Sequence, residues 1–444
     1  MPRRIADVFD VAERSLCTGC GTCAYLAPDE VAMVDDVDDG RRPIRIGAGP
    51  GAAAALAACP GVQLEHRDLP DGAIHELAPL WGPVVEMWEG HATDPAVRRR
   101  ASSGGAATAL ALDRLARGSA HGVLHVRAAP DEPWRNEPVL SVEAAQVLAA
   151  CGSRYAPASP GEGLALVEAA PGPCVVVGKP CDIAGVRDAA RVRPELAERV
   201  DLTIAVFCAG TPSTAGTLEM LAVMGVTDLA EVRSLDYRGD GWPGDARAVL
   251  DGEEASLSYE ESWGEILQRH RPWRCKICPD HTGEFADIAV GDPWWRPTGN
   301  DPGRSLVVAR TARGREAVRA AIASGALDLE PAPTDRLPRS QPNLVQTRGA
   351  VWGRLQAMRL LGLPTPRYRG VPTFGAWWRH LDRSAKVRSF AGTARRIRRS
   401  GLRRRRPVTP LVGRPAVPVS IRPRGQGQPQ GRNEAAALTA DSPR

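Results

Sequence analysis

The sequence predicts an α/β fold of mixed α+β character: a central sheet with flanking helices, a small cysteine-rich N-terminal module and a disordered basic tail. Three observations predict it. Between residues 83 and 330, short β-branched runs alternate with helical stretches, the pattern of strand–helix–strand units containing parallel pairs. Near the N-terminus, three cysteines fall within seven residues in an Ala/Gly-rich stretch where a large core is not expected. After residue 400, Arg, Pro, Gly and Gln displace aromatic and aliphatic residues.

In chain order, residues 1–80 form the cysteine-rich module, with Gly47-Ala48-Gly49-Pro50-Gly51 as an internal loop. Residues 81–170 and 171–364 are two parts of one α/β body. Val84–Met87 is its first strand. Ser102-Ser103-Gly104-Gly105 then opens a helix to about Arg117, with Ser as N-cap and Gly118 as the stop. Further strands are expected at Val123–Val126, Cys174–Gly178, Leu202–Phe207, Ala286–Val290 and Leu306–Ala309. Cys174–Gly178 leads through Lys179-Pro180-Cys181 into a helix starting near Ile183. Leu202–Phe207 leads through Cys208-Ala209-Gly210-Thr211 into a helix from Pro212 to Met224. Residues 365–400 are expected to hold a basic amphipathic helix, Phe374–Arg399, bearing Trp377, Trp378, Leu381 and Phe390. Residues 401–444 are the disordered Arg/Pro-rich tail.

The 444 residues are 43% apolar and 25% charged, enough to bury a sizeable core. No window approaches eighteen apolar residues, which excludes an ordinary transmembrane helix, and Met1-Pro2-Arg3-Arg4 precedes no apolar leader. A cytoplasmic location is expected. Thiols stay reduced there, so ten cysteines need a role other than disulfides. Net charge is +5, but residues 395–444 hold thirteen Arg against Glu434 and Asp441, so an acidic body carries a basic tail. No specific nucleic-acid binding is expected of that body.

Cys17, Cys20 and Cys23 form C-x2-C-x2-C, a tight loop able to place three thiolates on three corners of an iron–sulfur cubane, as in ferredoxins. The bacterial ferredoxin run continues x3-C-P. Here Ala27-Pro28 occupies that place, and Cys59-Pro60 is the expected fourth corner. A zinc knuckle more often uses paired C-x2-C units. Cys275 and Cys278 form one C-x2-C, open by itself to zinc, a redox pair or a cluster. Cys181 and Cys208 each follow a predicted parallel strand, at the edge where α/β sheets hold ligands, and complete a second set of four. Cys151 and Cys174 are expected to be small buried hydrophobes.

Ser102-Ser103-Gly104-Gly105 at a helix start offers N–H groups and a positive helix end to a phosphate. Gly152-Ser153-Arg154-Tyr155 adds a guanidinium and a phenol on a Gly-permitted turn, and Lys179 adds an ammonium. Asp292 ends a strand with a carboxylate. Most of Trp242, Trp263, Trp273, Trp294 and Trp295 are expected to pack the core, and His125, His270 and His281 receive no assigned role.

In this order the segments resemble the coenzyme F-420 hydrogenase/dehydrogenase beta-subunit family. The resemblance spans about residues 14–330 and adds Phe207-Cys208-Ala209-Gly210-Thr211-Pro212-Ser213, Cys275-x2-Cys278-Pro279-Asp280 and Ala286-Asp287-Ile288-x2-Gly291-Asp292 to the motifs above. It implies FAD held near Ser102–Gly105, Gly152–Tyr155 and Lys179, and two 4Fe–4S clusters on the two cysteine sets. A flavin handles both hydrides and single electrons, so it stands between clusters and an organic hydride carrier. Lys179 and Arg154 are expected to stabilise its anionic reduced form. The implied function is an oxidoreductase passing electrons between coenzyme F-420 and one-electron carriers. Alternatives are a ferredoxin-dependent reductase of an organic substrate and a non-catalytic relay subunit. Implied partners are F-420 or a ferredoxin-type carrier and a partner oxidoreductase subunit. The basic tail is open to peripheral contact with an anionic membrane or an acidic protein.

Overall fold

Helix Val8–Glu13 starts where the Asp7 side chain accepts the Asp10 N–H at 2.8 Å, and leads into the cysteine loop. In the computed structural model, which describes residues 4–66, 69–296 and 301–418, this helix belongs to a small module. An antiparallel hairpin of β1 (Val31–Asp36) and β2 (Gly40–Arg45) and a short strand β3 (Gln63–Glu65) complete it. Val8, Ala27, Val31, Ala52 and Ala55 bury together, so the module has a modest core of its own, which its composition did not announce.

The body is built on one eight-stranded mixed sheet. Its strands are β4 (Glu86–Ala92), β5 (Gly122–Ala128), β6 (Asn136–Ser141), β7 (Cys174–Gly178) and β8 (Val200–Val206), joined by three later ones. Between them, β9 (Ser234–Asp236), β10 (Ala246–Val249) and β11 (Glu254–Leu257) form a separate three-stranded antiparallel sheet. The main sheet then gains β12 (Ile288–Gly291), β13 (Ser305–Ala309) and β14 (Leu327–Pro331). Its order is β14-β4-β13-β12-β8-β7-β5-β6. The four inner strands β12, β8, β7 and β5 run parallel, and antiparallel strands finish both edges.

Period-two alternation places the core. Leu124, Val176, Ala205, Ala289 and Leu306 face one layer of helices. Their neighbours Val123, Val175, Ile204, Ile288 and Val307 face the other. A sheet covered on both faces needs near-continuous apolar strands, and each of these side chains is at most 1% exposed. Cys174 is fully buried among them, as expected.

Several elements depart from expectation. β4 begins two residues later than Val84 and runs on to Ala92, because it pairs with both β13 and β14. The helix after Ser102–Gly105 runs Ala106–Ala116, and its N-cap is Gly105 at φ +77° with no side-chain cap, not a serine. The expected basic helix Phe374–Arg399 is broken into Thr373–His380 and further short turns to Arg399. Leu381 is extended, and Asp382 caps a new start.

Residues 401–418, expected to be disordered, run along the body. Arg405 pairs with Asp10 and Glu13, the Leu411 N–H donates to Asp35 O at 2.7 Å, and Leu402 is buried. The remainder of the expected tail, 419–444, lies outside the described residues. Between these segments and the body, helix Pro342–Leu360 and a last strand β15 (Arg367–Arg369), parallel to β3, close over the cysteine module. No helix among the described residues is long and apolar enough to cross a membrane.

Candidate functional site

The carboxyl edge of the parallel strands collects most of the chemistry-bearing residues, as the topology of such sheets dictates. β7 ends at Gly178. Lys179 follows in extended conformation, Pro180 starts helix Pro180–Val192, and Cys181 lies in its first turn. β8 ends at Val206, just before Cys208, whose N–H donates to His281 O at 2.9 Å. β12 ends at Gly291, where a Cβ would lie 2.1 Å from the Phe207 ring, and Asp292 follows.

A cavity of about 320 Å³ opens at this edge. Ser102, Ser103 and Gly105 line it from one loop, Gly152, Ser153, Arg154 and Tyr155 from a second, and Lys179 and Asp292 from the strand ends. Ser102 Oγ accepts the Ser153 N–H at 2.6 Å and donates to Arg238 O at 3.1 Å, tying the loops together. The first turn of helix Ala106–Ala116 also faces the cavity, and its leading N–H groups lack intrahelical partners.

Three expected residues are engaged differently. Gly104 is not in the cavity wall. Its N–H donates to Ser305 Oγ at 3.0 Å, and a Cβ there would lie 2.6 Å from Ser305 N and 2.7 Å from Gly90 O. Its smallness serves strand packing. The Arg154 guanidinium donates to Asn136 Oδ1, Leu235 O, Pro133 O and Arg135 O, so it braces the loop to β9 with little left to offer a ligand. Cys151, expected to be a buried hydrophobe, is half-buried in the cavity wall, 3.5 Å from Thr108 Oγ1.

The cation that sequence reasoning missed is Arg238. It pairs with both carboxylate oxygens of Asp292 at 2.9 and 2.6 Å and lies over the rings of Tyr259 and Trp294. Trp242 Nε1 also donates to Asp292, at 2.8 Å. Only the surrounding Tyr237-Arg238-Gly239-Asp240-Gly241 run hinted at a turn there.

Lys179 Nζ lies 2.6 Å from Asp182 Oδ2. Burial opposes its charge, but Asp182 and the thiols of Cys181 and Cys208 outweigh that and hold its pKa above the usual lysine value.

The cysteines gather as two sets. Around Cys23, the thiols of Cys17, Cys20 and Cys59 are all within electrostatic reach. Gly19 and Gly21, both at positive φ, curl the loop, and the Gly19 N–H donates to Cys17 Sγ at 3.3 Å. Ala27 is packed into the module core, so the missing ferredoxin cysteine corresponds to an apolar position. Cys59 approaches from the turn after Ala55–Ala58.

In the second set, Cys208 senses Cys275 and Cys278, and Cys181 senses Cys208 and Cys278. Burial foremost, then the neighbouring thiols, pushes Cys208 up to about 12, and burial with Asp280 and Cys275 pushes Cys278 up to about 11 against the opposing Arg274. Such a group keeps its thiolates only beside a compensating cation.

A second, smaller cavity of about 50 Å³ joins the parts: Cys17, Cys181, Cys208, Cys275, Cys278 and Lys179 all line it. Lys179 and Cys208 line the large cavity too. Among the described residues, no group of three or more His, Cys, Asp and Glu side chains converges tightly enough for a single metal ion.

Two family models match consecutive segments, residues 87–164 and 173–335, together more than half of the chain. They describe the N-terminal and C-terminal parts of the coenzyme F-420 hydrogenase/dehydrogenase beta subunit. The chain belongs to this family.

Among its relatives is the coenzyme F-420 hydrogenase subunit beta of Methanothermobacter thermautotrophicus, 25% identical over 64% of this chain and 99% of that protein. Another is the coenzyme F-420-dependent sulfite reductase of Methanocaldococcus jannaschii, 23% identical over 72% of this chain and 48% of that protein. A chain of the F-420-reducing NiFe hydrogenase complex from Methanosarcina barkeri shares the fold. Its TM-score is 0.53 at 21% identity, covering 65% of this chain and 97% of that one.

The family segments contain the large-cavity lining apart from Gln341 and Leu344, and all of Cys181, Cys208, Cys275 and Cys278. The first cysteine set and the C-terminal cover lie outside them. That cover is specific in its contacts: Val351, Leu355, Ile397 and Leu402 bury with Leu16 and Ile277, and Cys17 and Cys59 pack against this cluster.

Proposed function

We propose that the chain is an iron–sulfur flavoprotein oxidoreductase that passes electrons between coenzyme F-420 and one-electron carriers through FAD and two 4Fe–4S clusters. One observation supports this reading: Ala158, Lys179, Cys208, Gly210 and Thr211 line both the large cavity and the cysteine-lined cavity, so a flavin held in the first would adjoin a cluster held in the second. The names of the relatives, an F-420 hydrogenase subunit and an F-420-dependent sulfite reductase, support the F-420 link.

Flavin and clusters together supply the exchange of one hydride for two single electrons. The rest is the work of the chain. The leading N–H groups of helix Ala106–Ala116, with Ser103 and the Ser102-held Gly152-Ser153 turn, would hold the pyrophosphate. The Arg238–Asp292 pair, braced by Trp242, would position Tyr259 and Trp294 against the ring system. Lys179 would place a fixed positive charge where a reduced flavin is anionic, and Arg154 would act by bracing Tyr155. Cys17, Cys20, Cys23 and Cys59 would ligate one cluster, and Cys181, Cys208, Cys275 and Cys278 the other.

A one-electron partner has a natural approach beside Cys275. Lys276, Arg271, Arg354 and Arg396 crowd one another there and depress the Lys276 pKa after burial. Such a cation cluster favours an acidic protein carrier, whether a ferredoxin-type protein or an acidic partner subunit.

The test is anaerobic reconstitution with FAD and iron, followed by titration with reduced F-420 and with reduced ferredoxin. Eight irons and one FAD per chain, with flavin reduced by F-420 alone, support the reading. Flavin reduced only by ferredoxin supports the alternative reductase of an organic substrate. Clusters without flavin turnover support a non-catalytic relay subunit.

A further inference from the structure

Arg274 is a buried cation without a carboxylate. It belongs to the short helix Trp273–Lys276 and is 2% exposed. Nη2 donates to Pro60 O at 2.9 Å, the carbonyl next to Cys59. Nε and Nη1 are buried with no partner among the described residues, and there Arg274 makes no ion pair with an acidic side chain. The Tyr368 ring lies 5.8 Å from the guanidinium carbon, and Tyr368 Oη is spent on Ile277 O at 2.8 Å. Arg274 lines the small cavity together with Cys181, Cys275 and Cys278, whose thiols act on it electrostatically.

A guanidinium taken out of water with two donors unmet is costly. Evolution of a fold tolerates that where an anion completes the site. Cys181, Cys208, Cys275 and Cys278 line the small cavity with Arg274, and the one carboxylate among its described lining residues near them, Asp280, is spent on the N–H groups of Thr282, Gly283 and Glu284.

We propose that Arg274 sets the reduction potential of the Cys181/Cys208/Cys275/Cys278 centre, supplying its sulfurs with a fixed positive charge and two N–H donors while Nη2 ties that charge to the Cys59 turn. The inference rests on the cluster reading of the two thiol sets. Positive charge and hydrogen bonds to sulfur stabilise the reduced, more negative form of a cluster, so they raise its potential.

The experiment compares the full chain with Arg274→Met and Arg274→Lys after anaerobic reconstitution, by iron content and by redox titration followed by electron paramagnetic resonance. Arg274→Met is expected to retain its iron and to lower the reduced-to-oxidised ratio of one centre at least tenfold at fixed potential, a shift of about 59 mV for one electron. Arg274→Lys, which keeps the charge, should fall between. Arg274→Met with full iron and unshifted potentials overturns the proposal. So does loss of the same four irons in both variants, which would make Arg274 a scaffold for the loop. A native chain that takes up no iron overturns the cluster reading itself, and that failure is visible before any variant is made.

Discussion

Arg238 and Asp292 meet through two hydrogen bonds of 2.6 and 2.9 Å, joining the end of β9 to the end of β12 across the mouth of the large cavity. The Arg238 side chain is 2% exposed and that of Asp292 18%, so the pair is nearly dry. Removing one partner of such a pair strands the other charge, at a cost of about 3 kcal/mol. Asp292→Ala should therefore lower the chemical denaturation midpoint strongly. The double variant with Arg238→Met should recover most of that stability yet bind FAD weakly, because the rings of Tyr259 and Trp294 lose their support. Equal destabilisation in single and double variants would argue against a coupled pair.

Lys179 offers a cleaner electrostatic test. On the proposed flavin placement, Lys179→Ala should shift the flavin midpoint to lower potential, since the anionic reduced form would lose a cation, while Lys179→Arg should shift it little. Spectroelectrochemical titration reads both. An Ala variant with the native midpoint would remove Lys179 from the flavin's surroundings.

For the N-terminal thiols, Cys59→Ala should cut iron content by about half. Ala27→Cys should not restore it, because position 27 is buried in the module core with Val8, Val31 and Ala52. Restored iron in the double variant would show that the local ferredoxin pattern still governs this loop.

Acid sensitivity should trace in part to His125. Its Nε2 lies 2.8 Å from Ser141 Oγ, and burial first, then Arg127, lowers its pKa to about 4. The unfolded imidazole titrates near 6.5, so between these values the unfolded chain binds the proton and the folded one resists it. Stability is then full above about pH 6.5 and declines as pH falls toward 4. The gap is worth at most about 3 kcal/mol. His125→Gln, which can still reach Ser141, should flatten the loss seen in denaturation midpoints across that range. Parallel curves for both proteins would assign the loss to other groups.

The C-terminal cover should separate into two parts on truncation. Ending the chain after Pro418 should leave iron, FAD and stability unchanged. Ending it after Gly392 removes Ile397 and Leu402, which are 0% and 8% exposed against Leu16 and Ile277, and should cost stability and the iron of the first set. Full iron in the shorter chain would make the cover dispensable and would return the whole basic segment to a docking role at anionic surfaces.

The strand–helix alternation of the body, its parallel pairs and the end of β7 were legible in the sequence. Local physics writes them there: apolar runs must be strands when both sheet faces are covered, and a strand end carries its following residue to the sheet edge whatever the rest of the chain does. Cys174–Gly178 is the same strand in both readings for that reason. What each polar group does on arrival was decided only by tertiary contacts. Arg154 turned out to brace carbonyls, Gly104 to pack against β13, and Arg238 to face the cavity, because hydrogen-bond partners far apart in sequence determine which donors remain free. The same holds for the tail. Its composition argues for disorder, but residues up to 418 find Asp10, Glu13 and Asp35 on a surface that exists only once the hairpin and helices of the N-terminal module are assembled.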